Sequence, residues 1–454
     1  MPFKTLALAA FTLAIVLAST RAADETKPPA AKPNIIFILG DDVGLGDVGF
    51  SGGHFKTPNL DALAKSGTHF THCYAMPLCG PSRCMLLTGR YPFRTGLVGN
   101  QSAQALAGHK EIMMPTVLKA AGYVGACVGK WGQMPFGPAQ WGFDESLSFH
   151  GSGQYWKTAG GSYFVNGQPK ALADGEYIPD LMHTFAAGFL ERHKDQPFYL
   201  YYSMDHIHGP ILRTPDSKDG ASKDELYADN VAYMDKLVGK LMAELDRLKL
   251  REKTLVVFTG DNGTAVFGES LAKVDGKPIS GRKGSMREGG SRVPLAVSWP
   301  GATPAGKVSH DLTDFSDFFP TFAELAGAKL PDGVKIDGRS LAAQIKGGAG
   351  TPREWAYVEL SGKRYVTSTR WKLNNSGELF DMKEAPFREI PVARDTTDAE
   401  AMAARAQLQE ALDKLTGTNQ PAPPRGKGGG LRPRKALRQQ QQTPAAPPPE
   451  KPAA

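Results

Sequence analysis

The chain has 454 residues, 41% of them hydrophobic, enough for one large domain with a smaller one attached. Its formal charge of +7 is unevenly placed: Lys4 and Arg21 give residues 1–23 a charge of +2, seven Lys/Arg against Glu450 give residues 416–454 +6, and −1 remains for everything between. A nearly neutral body argues against nucleic acid as a partner, and four cysteines are too few for a disulfide scaffold.

Lys4, the apolar run Leu6 to Ala18 and the small residues Ala22 and Ala23 read as a secretory signal over residues 1–23. The run is shorter than the ~20 apolar residues of a membrane span, and no later stretch is long and apolar enough. The expectation is an exported protein, periplasmic or secreted, with no integral membrane association. Residues 24–32 form a polar, Pro-containing linker. Pro33 to Leu39 is then a continuous apolar run ending in Gly40-Asp41-Asp42, which suits a strand buried on both faces of a parallel sheet. The pattern recurs. Tyr123 to Val128 leads into Gly129-Lys130-Trp131, Pro197 to Ser203 leads towards His206 and His208, and Thr254 to Phe258 leads into Thr259-Gly260-Asp261-Asn262-Gly263. Helical periodicity lies between, over Asn59–Lys65, Pro115–Ala121, Ile178–His193 and Ser222–Leu250. This alternation predicts an α/β domain over residues 33–350, a large, mostly parallel sheet flanked by helices. Its polar residues follow the carboxyl ends of strands, where open α/β sheets bind ligands.

From Thr351 the pattern changes. Trp355–Leu360, Lys363–Thr369 and Trp371–Leu373 read as short strands and Glu400–Leu415 as a helix. They predict a smaller C-terminal α+β domain over 351–416, a short antiparallel sheet plus helix. Residues 417–454, rich in Pro, Gly, Gln and Arg, read as a disordered basic tail. Cys73, Cys84 and Cys127 allow one disulfide or three buried thiols.

The segment Cys79-Gly80-Pro81-Ser82-Arg83, continuing to Leu87-Thr88-Gly89-Arg90, resembles the motif of the formylglycine-dependent sulfatases (arylsulfatases), members of the alkaline-phosphatase-like superfamily. In that family a separate enzyme oxidises the cysteine to an aldehyde, whose hydrate attacks sulfur. Further blocks agree in order: Thr57 to Asp61, Gly129-Lys130-Trp131, His208-Gly209-Pro210, Lys283-Gly284, Glu288 to Pro294, Trp299-Pro300-Gly301, Asp337 to Leu341 and Glu378 to Asp381. The resemblance covers about residues 33 to 385. It implies sulfuric ester hydrolysis, a sulfated small molecule or carbohydrate as substrate, and a formylglycine-generating enzyme as maturation partner. It also places Asp41, Asp42, Asp261 and Asn262, with the modified Cys79, around a metal ion. Three carboxylates and an amide are hard oxygen donors, which suit Ca²⁺ or Mg²⁺ better than zinc. Arg83, Lys130 and Lys283 would neutralise sulfate oxygens, and His208 would protonate the leaving oxygen.

One position departs. The family has a histidine two residues after the Gly-Lys-Trp lysine, thought to help release sulfate, and here Gly132 stands there. His206 or water are the substitutes on offer. Phosphate or phosphonate ester hydrolysis on the same scaffold, and a non-catalytic anion-binding protein, are the competing readings. Specificity is expected in the loops Gln133–Lys157 and Val266–Ile279, where Trp141, Tyr155 and Trp156 either stack on a substrate ring or belong to the core.

Overall fold

A computed structural model describes residues 32–101, 106, 111–132, 134–149, 151–157 and 162–416. The signal, all but the last residue of the linker, and the basic tail lie outside the described residues, as does Gln133.

Seventeen strands are named in chain order. The first ten are β1 (Asn34–Gly40), β2 (Thr68–Tyr74), β3 (Val124–Lys130), β4 (Glu145–Phe149), β5 (Ser162–Val165), β6 (Gln168–Ala171), β7 (Phe198–Ser203), β8 (Thr254–Gly260), β9 (Lys273–Val274) and β10 (Lys277–Pro278). The others are β11 (Arg292–Ser298), β12 (Lys307–Asp314), β13 (Ala356–Leu360), β14 (Lys363–Thr367), β15 (Trp371–Asn374), β16 (Leu379–Asp381) and β17 (Ile390–Val392). The large sheet runs β12-β2-β11-β8-β1-β7-β3-β4-β5-β6. Every residue of β1 is buried. Alternation sends Ile35, Phe37 and Leu39 into one apolar layer with Phe318 and Phe322. Ile36 and Ile38 enter the opposite layer with Val231, Met234 and Leu237 of the helix Lys223–Arg247. Cover on both faces is why β1 reads as unbroken apolar sequence.

The centre of the sheet, β8-β1-β7-β3-β4, is parallel. Its flanks are mixed: β11 runs antiparallel to both β8 and β2, and β5 and β6 are antiparallel. The sequence hid these flanking strands. β2, with the pairs Thr68-His69 and Thr71-His72, is only partly buried, and β12 is a polar edge strand.

The second sheet, β13 to β17 in order, is wholly antiparallel. The helix Ala399–Thr416 covers it. Tyr365, Leu373 and Leu408 share one apolar cluster with Phe37 and Phe318, so the two sheets rest on a continuous core. Cys73, Cys84 and Cys127 are all buried and free. Burial pushes the Cys84 thiol up to about 12 and raises the other two further, which makes them poor nucleophiles.

Candidate active site

The loops after β1, β3, β7 and β8 meet above their carboxyl ends. Asp41 and Asp42 leave β1, and Asp42 sits at φ +65°, a conformation that a non-glycine residue holds only when its surroundings enforce it. Here Asp42 N–H donates to Asp261 Oδ1 at 3.1 Å, and Asn262 Nδ2 donates to Asp42 Oδ1 at 2.9 Å. Asp41 Oδ2 accepts from Lys130 Nζ at 2.7 Å, and Asp42 Oδ1 accepts from Lys283 Nζ. Burial would depress the Lys130 ammonium, but Asp41 and the other negative groups outweigh it and hold it above its usual range.

Cys79 opens helix α2 (Cys79–Thr88), after α1 (Pro58–Lys65) in the chain, and every residue of α2 is buried. The helix begins there because Ser82 Oγ accepts from Met76 N–H and donates to the carbonyls of Met76 and Leu78, which fixes the entering turn. Cys79 therefore faces the cluster from a helix N-terminus, where the peptide dipoles favour negative charge. Sγ, Asp41 and Asp261 bring ligand atoms within 4.8 Å of one another, as do Asp41, Asp42 and His208.

Arg83 lies one turn along α2 and is fully buried. Its Nε and Nη2 donate to Asp261 Oδ2 at 2.9 and 2.7 Å, while Nη1 donates to Lys130 O at 3.2 Å and to Ser203 Oγ. In this arrangement the Arg83 guanidinium is committed to Asp261 and to the end of β3. His208 is partly exposed. Nδ1–H donates to Gly209 O at 2.6 Å, which leaves Nε2 turned towards Asp42 Oδ2 at 3.8 Å and able to carry a proton.

Among the described residues, no hydrogen bond reaches two buried oxygens of this cluster, Asp41 Oδ1 and Asn262 Oδ1, although Arg83 Nη2 lies 3.8 Å from the former. Unmet acceptors at nearly zero exposure cost about 1–3 kcal/mol each unless a cation answers them. Their presence beside Asp42 and Asp261 gives a hard-oxygen donor set that fits a divalent cation.

A family model described as Sulfatase matches residues 33–328. The chain belongs to the sulfatase family. It is 36% identical to the dog (Canis lupus familiaris) N-acetylgalactosamine-6-sulfatase over 387 residues, 77% of this chain and 73% of that protein. It is 33% identical to the mouse (Mus musculus) steryl-sulfatase over 460 residues, 81% and 73% of the two chains. Among solved structures, Ps i-CgsB in complex with k-i-k-neocarrahexaose superposes with a TM-score of 0.72 at 29% identity, over 87% of this chain and 94% of that one. This sulfatase is thus an enzyme that hydrolyses sulfate esters, in a family whose general mechanism uses formylglycine and a metal ion. The phosphoesterase and non-catalytic readings fall away.

Gly132 holds the position where the resemblance places the family's histidine. Gly132 has φ +83°, where side chains are rarely tolerated, and a Cβ there would lie 3.3 Å from Arg83 Cδ. His206 does not fill the gap. It is fully buried, its ring lies among Tyr155, Tyr177 and Tyr233, and its Nε2 is hydrogen-bonded to Tyr177 OH at 2.9 Å. Burial lowers its pKa to about 3, so it stays neutral. Trp141 and Tyr155 are core residues, and Trp156 packs on Tyr177 with its Nε1–H on Arg213 O.

Three residues of the sulfatase site carried no sequence signal. Asn100 donates from Nδ2 to Cys79 Sγ at 3.4 Å and accepts from Gly80 N–H at 3.0 Å. Ser203 donates to Lys130 O at 2.6 Å, and Asp205 accepts from Gly153 N–H at 2.9 Å. Burial, helped by the Asp41 charge, raises the Asp205 carboxyl from 3.8 to about 8. Folding therefore takes up a proton at Asp205 between those values, and stability falls as pH rises through that window. In metal-free protein the Asp205→Asn variant is expected to gain on the parent chain in Tm from pH 5 to pH 8. A Tm difference independent of pH contradicts the assignment.

Proposed function

We propose that this sulfatase removes sulfate from a ring-bearing substrate, a sulfated carbohydrate, with Cys79 matured to formylglycine. On this reading Asp41, Asp42, Asp261, Asn262 and the modified Cys79 hold Ca²⁺ or Mg²⁺. The observation that carries it is the charge pattern. Asp41, Asp42 and Asp261 are matched one to one by Lys130, Lys283 and Arg83, yet two buried acceptors are left over. Six opposed charges cancel, so a divalent ion would leave the site at +2, suited to an anionic ester.

When bound, the ion would supply Lewis-acid polarisation of the sulfate and a fixed reference for the nucleophile. Everything else falls to the chain. The α2 N-terminus and Asn100 orient residue 79, whose Sγ stands where the mature residue carries oxygen. Lys130 and Lys283 hold Asp41 and Asp42 in place, and their charges act on residue 79. As the bond from sulfur to the leaving oxygen breaks, its electron pair goes to that oxygen, and His208 Nε2 delivers the proton. Having lost that proton, the same nitrogen is the base within the site for the release step that the family assigns to the missing histidine. His208→Ala is expected to lower kcat about 10²- to 10⁴-fold, measured as sulfate release. A fall of less than threefold would remove His208 from the mechanism.

Two exposed aromatic rings, Phe136 and Phe267, support a ring-bearing leaving group, and Phe267 lies beside the site. Phe136 follows Gly132, and the indole N–H groups of Trp131 and Trp141 grip the carbonyls of Phe136 and Pro135 at 2.8 and 2.7 Å. Phe267 rests against Gly209, beside His208, so closely that a Cβ at Gly209 would sit 2.4 Å from its ring. Both lie in the loops expected to carry specificity. Two of the three relatives, the N-acetylgalactosamine-6-sulfatase and the neocarrahexaose complex, favour a sugar. Comparing kcat/KM across sulfated sugars and a steroid sulfate, with formylglycine-bearing protein, tests this; preference for the steroid sulfate would reject it. Export completes the reading, and sequencing the N-terminus of protein recovered outside the cytoplasm checks it.

A further inference from the structure

A groove of about 960 Å³ lies between loop 280–287 and the open side of the five-stranded sheet. It begins one residue from the site, since Gly284 lines it while neighbouring Lys283 reaches Asp42. Gly284 N–H also donates to Pro77 O at 2.8 Å, tying the groove wall to the segment that enters Cys79.

The groove is pre-formed. Ser280 N–H donates to Pro386 O at 2.8 Å, and Lys372 Nζ donates to Met286 O at 2.7 Å and Glu389 Oε1 at 3.0 Å. Glu389 Oε1 in turn accepts from Glu288 N–H at 3.0 Å. These bonds join the two walls, so a ligand need not order them.

Its lining carries five Lys and Arg residues against Glu378 and Glu389. Glu389 is occupied by Lys372, and Glu378 by Asn374 and Ser376. Arg287 and Lys363, both exposed, have no carboxylate partner among the described residues; Arg287 makes only a 3.4 Å contact with Ser280 Oγ. The lining also includes the half-buried rings of Phe380 and Phe387. Unpaired cations in one groove with flat apolar surface match an anionic sugar chain, whose charged groups alternate with ring faces.

We infer that this groove is a second anion subsite, which takes a further sulfated residue of the glycan whose scissile ester lies at Cys79. The substrate is then a multiply sulfated oligosaccharide rather than an isolated sugar. The inference rests on the proposed carbohydrate sulfatase activity, and the test separates the two.

Formylglycine-bearing protein is assayed on a small aryl sulfate, with a sulfated galactan hexasaccharide as competitor and its desulfated counterpart as control. The Arg287→Ala/Lys363→Ala variant should hydrolyse the aryl sulfate with unchanged kcat/KM. Its inhibition constant for the sulfated hexasaccharide should rise about tenfold at low ionic strength, the scale of two lost surface charges, and the native chain's advantage should shrink as salt is added. The desulfated control should bind both proteins alike and weakly. An unchanged inhibition constant, or equal loss for sulfated and desulfated chains, overturns the groove proposal. If the native protein fails to turn over any sulfate ester, the activity reading falls, and calorimetric titration of the same hexasaccharide into both proteins still decides the groove.

Discussion

Cys79→Ala is expected to abolish sulfate release, lowering kcat by about six orders of magnitude, as loss of the nucleophile does in other hydrolases that form covalent intermediates. The fold should survive it. The change removes one sulfur at the first residue of α2, and the turn there is fixed by Ser82 rather than by the thiol. A loss of about 1 kcal/mol in stability is the expected scale. Activity surviving at a tenth of the original would mean that residue 79 is not the nucleophile. The contrast with Cys73, Cys84 and Cys127 is instructive. All four thiols are buried, yet Cys79 is the one gathered with Asp41 and Asp261.

Arg83→Met should be the most destabilising single change in the site. Its guanidinium holds Asp261 with two donors and links Ser203 to the end of β3. Removing one partner of a fully buried ion pair leaves an uncompensated charge, a cost of about 3–5 kcal/mol. The effect should be largest with chelator present. On the proposed metal binding, a divalent cation would supply a positive charge to Asp261 and bind the folded chain alone, so its addition should recover part of the loss. Denaturant unfolding with chelator, then with Ca²⁺ or Mg²⁺, measures both. A loss below 1 kcal/mol in chelator would show that Asp261 does not depend on Arg83.

Much of this site was legible because the chemistry sits on buried parallel strands. β1, β3, β7 and β8 are covered on both faces and read as apolar runs, so Asp41, Lys130, His208 and Asp261 stood out as the polar residues that follow them. The strands covered on one side were harder. β2 and β12 mix Thr, His and Asp into their pattern, and β16 and β17, at three residues each, are too short to show a period. Asn100 and Asp205 were invisible because nothing in their neighbours marks them, and only the fold brings them to Cys79 and Asp41. The sulfate-contact reading of Arg83 came from its charge beside a nucleophile; its complete burial is a property of α2's packing that the sequence does not display. Of the two roles left open for the aromatic residues, the core is the one that Trp141 and Tyr155 take. Trp141 and Tyr155 are large enough to fill the core, whereas Phe136 and Phe267 are left in solvent.

The central claim is that Cys79 acts as formylglycine. Protein prepared with and without a formylglycine-generating enzyme should be digested, and the peptide carrying residue 79 weighed while sulfate release is measured on the same sample. Conversion replaces the thiol and one hydrogen by an aldehyde oxygen. The initial rate should rise in proportion to the converted fraction and vanish where that fraction is zero. Equal rates in converted and unconverted protein, or no turnover of any sulfate ester by fully converted, metal-loaded protein, would contradict it.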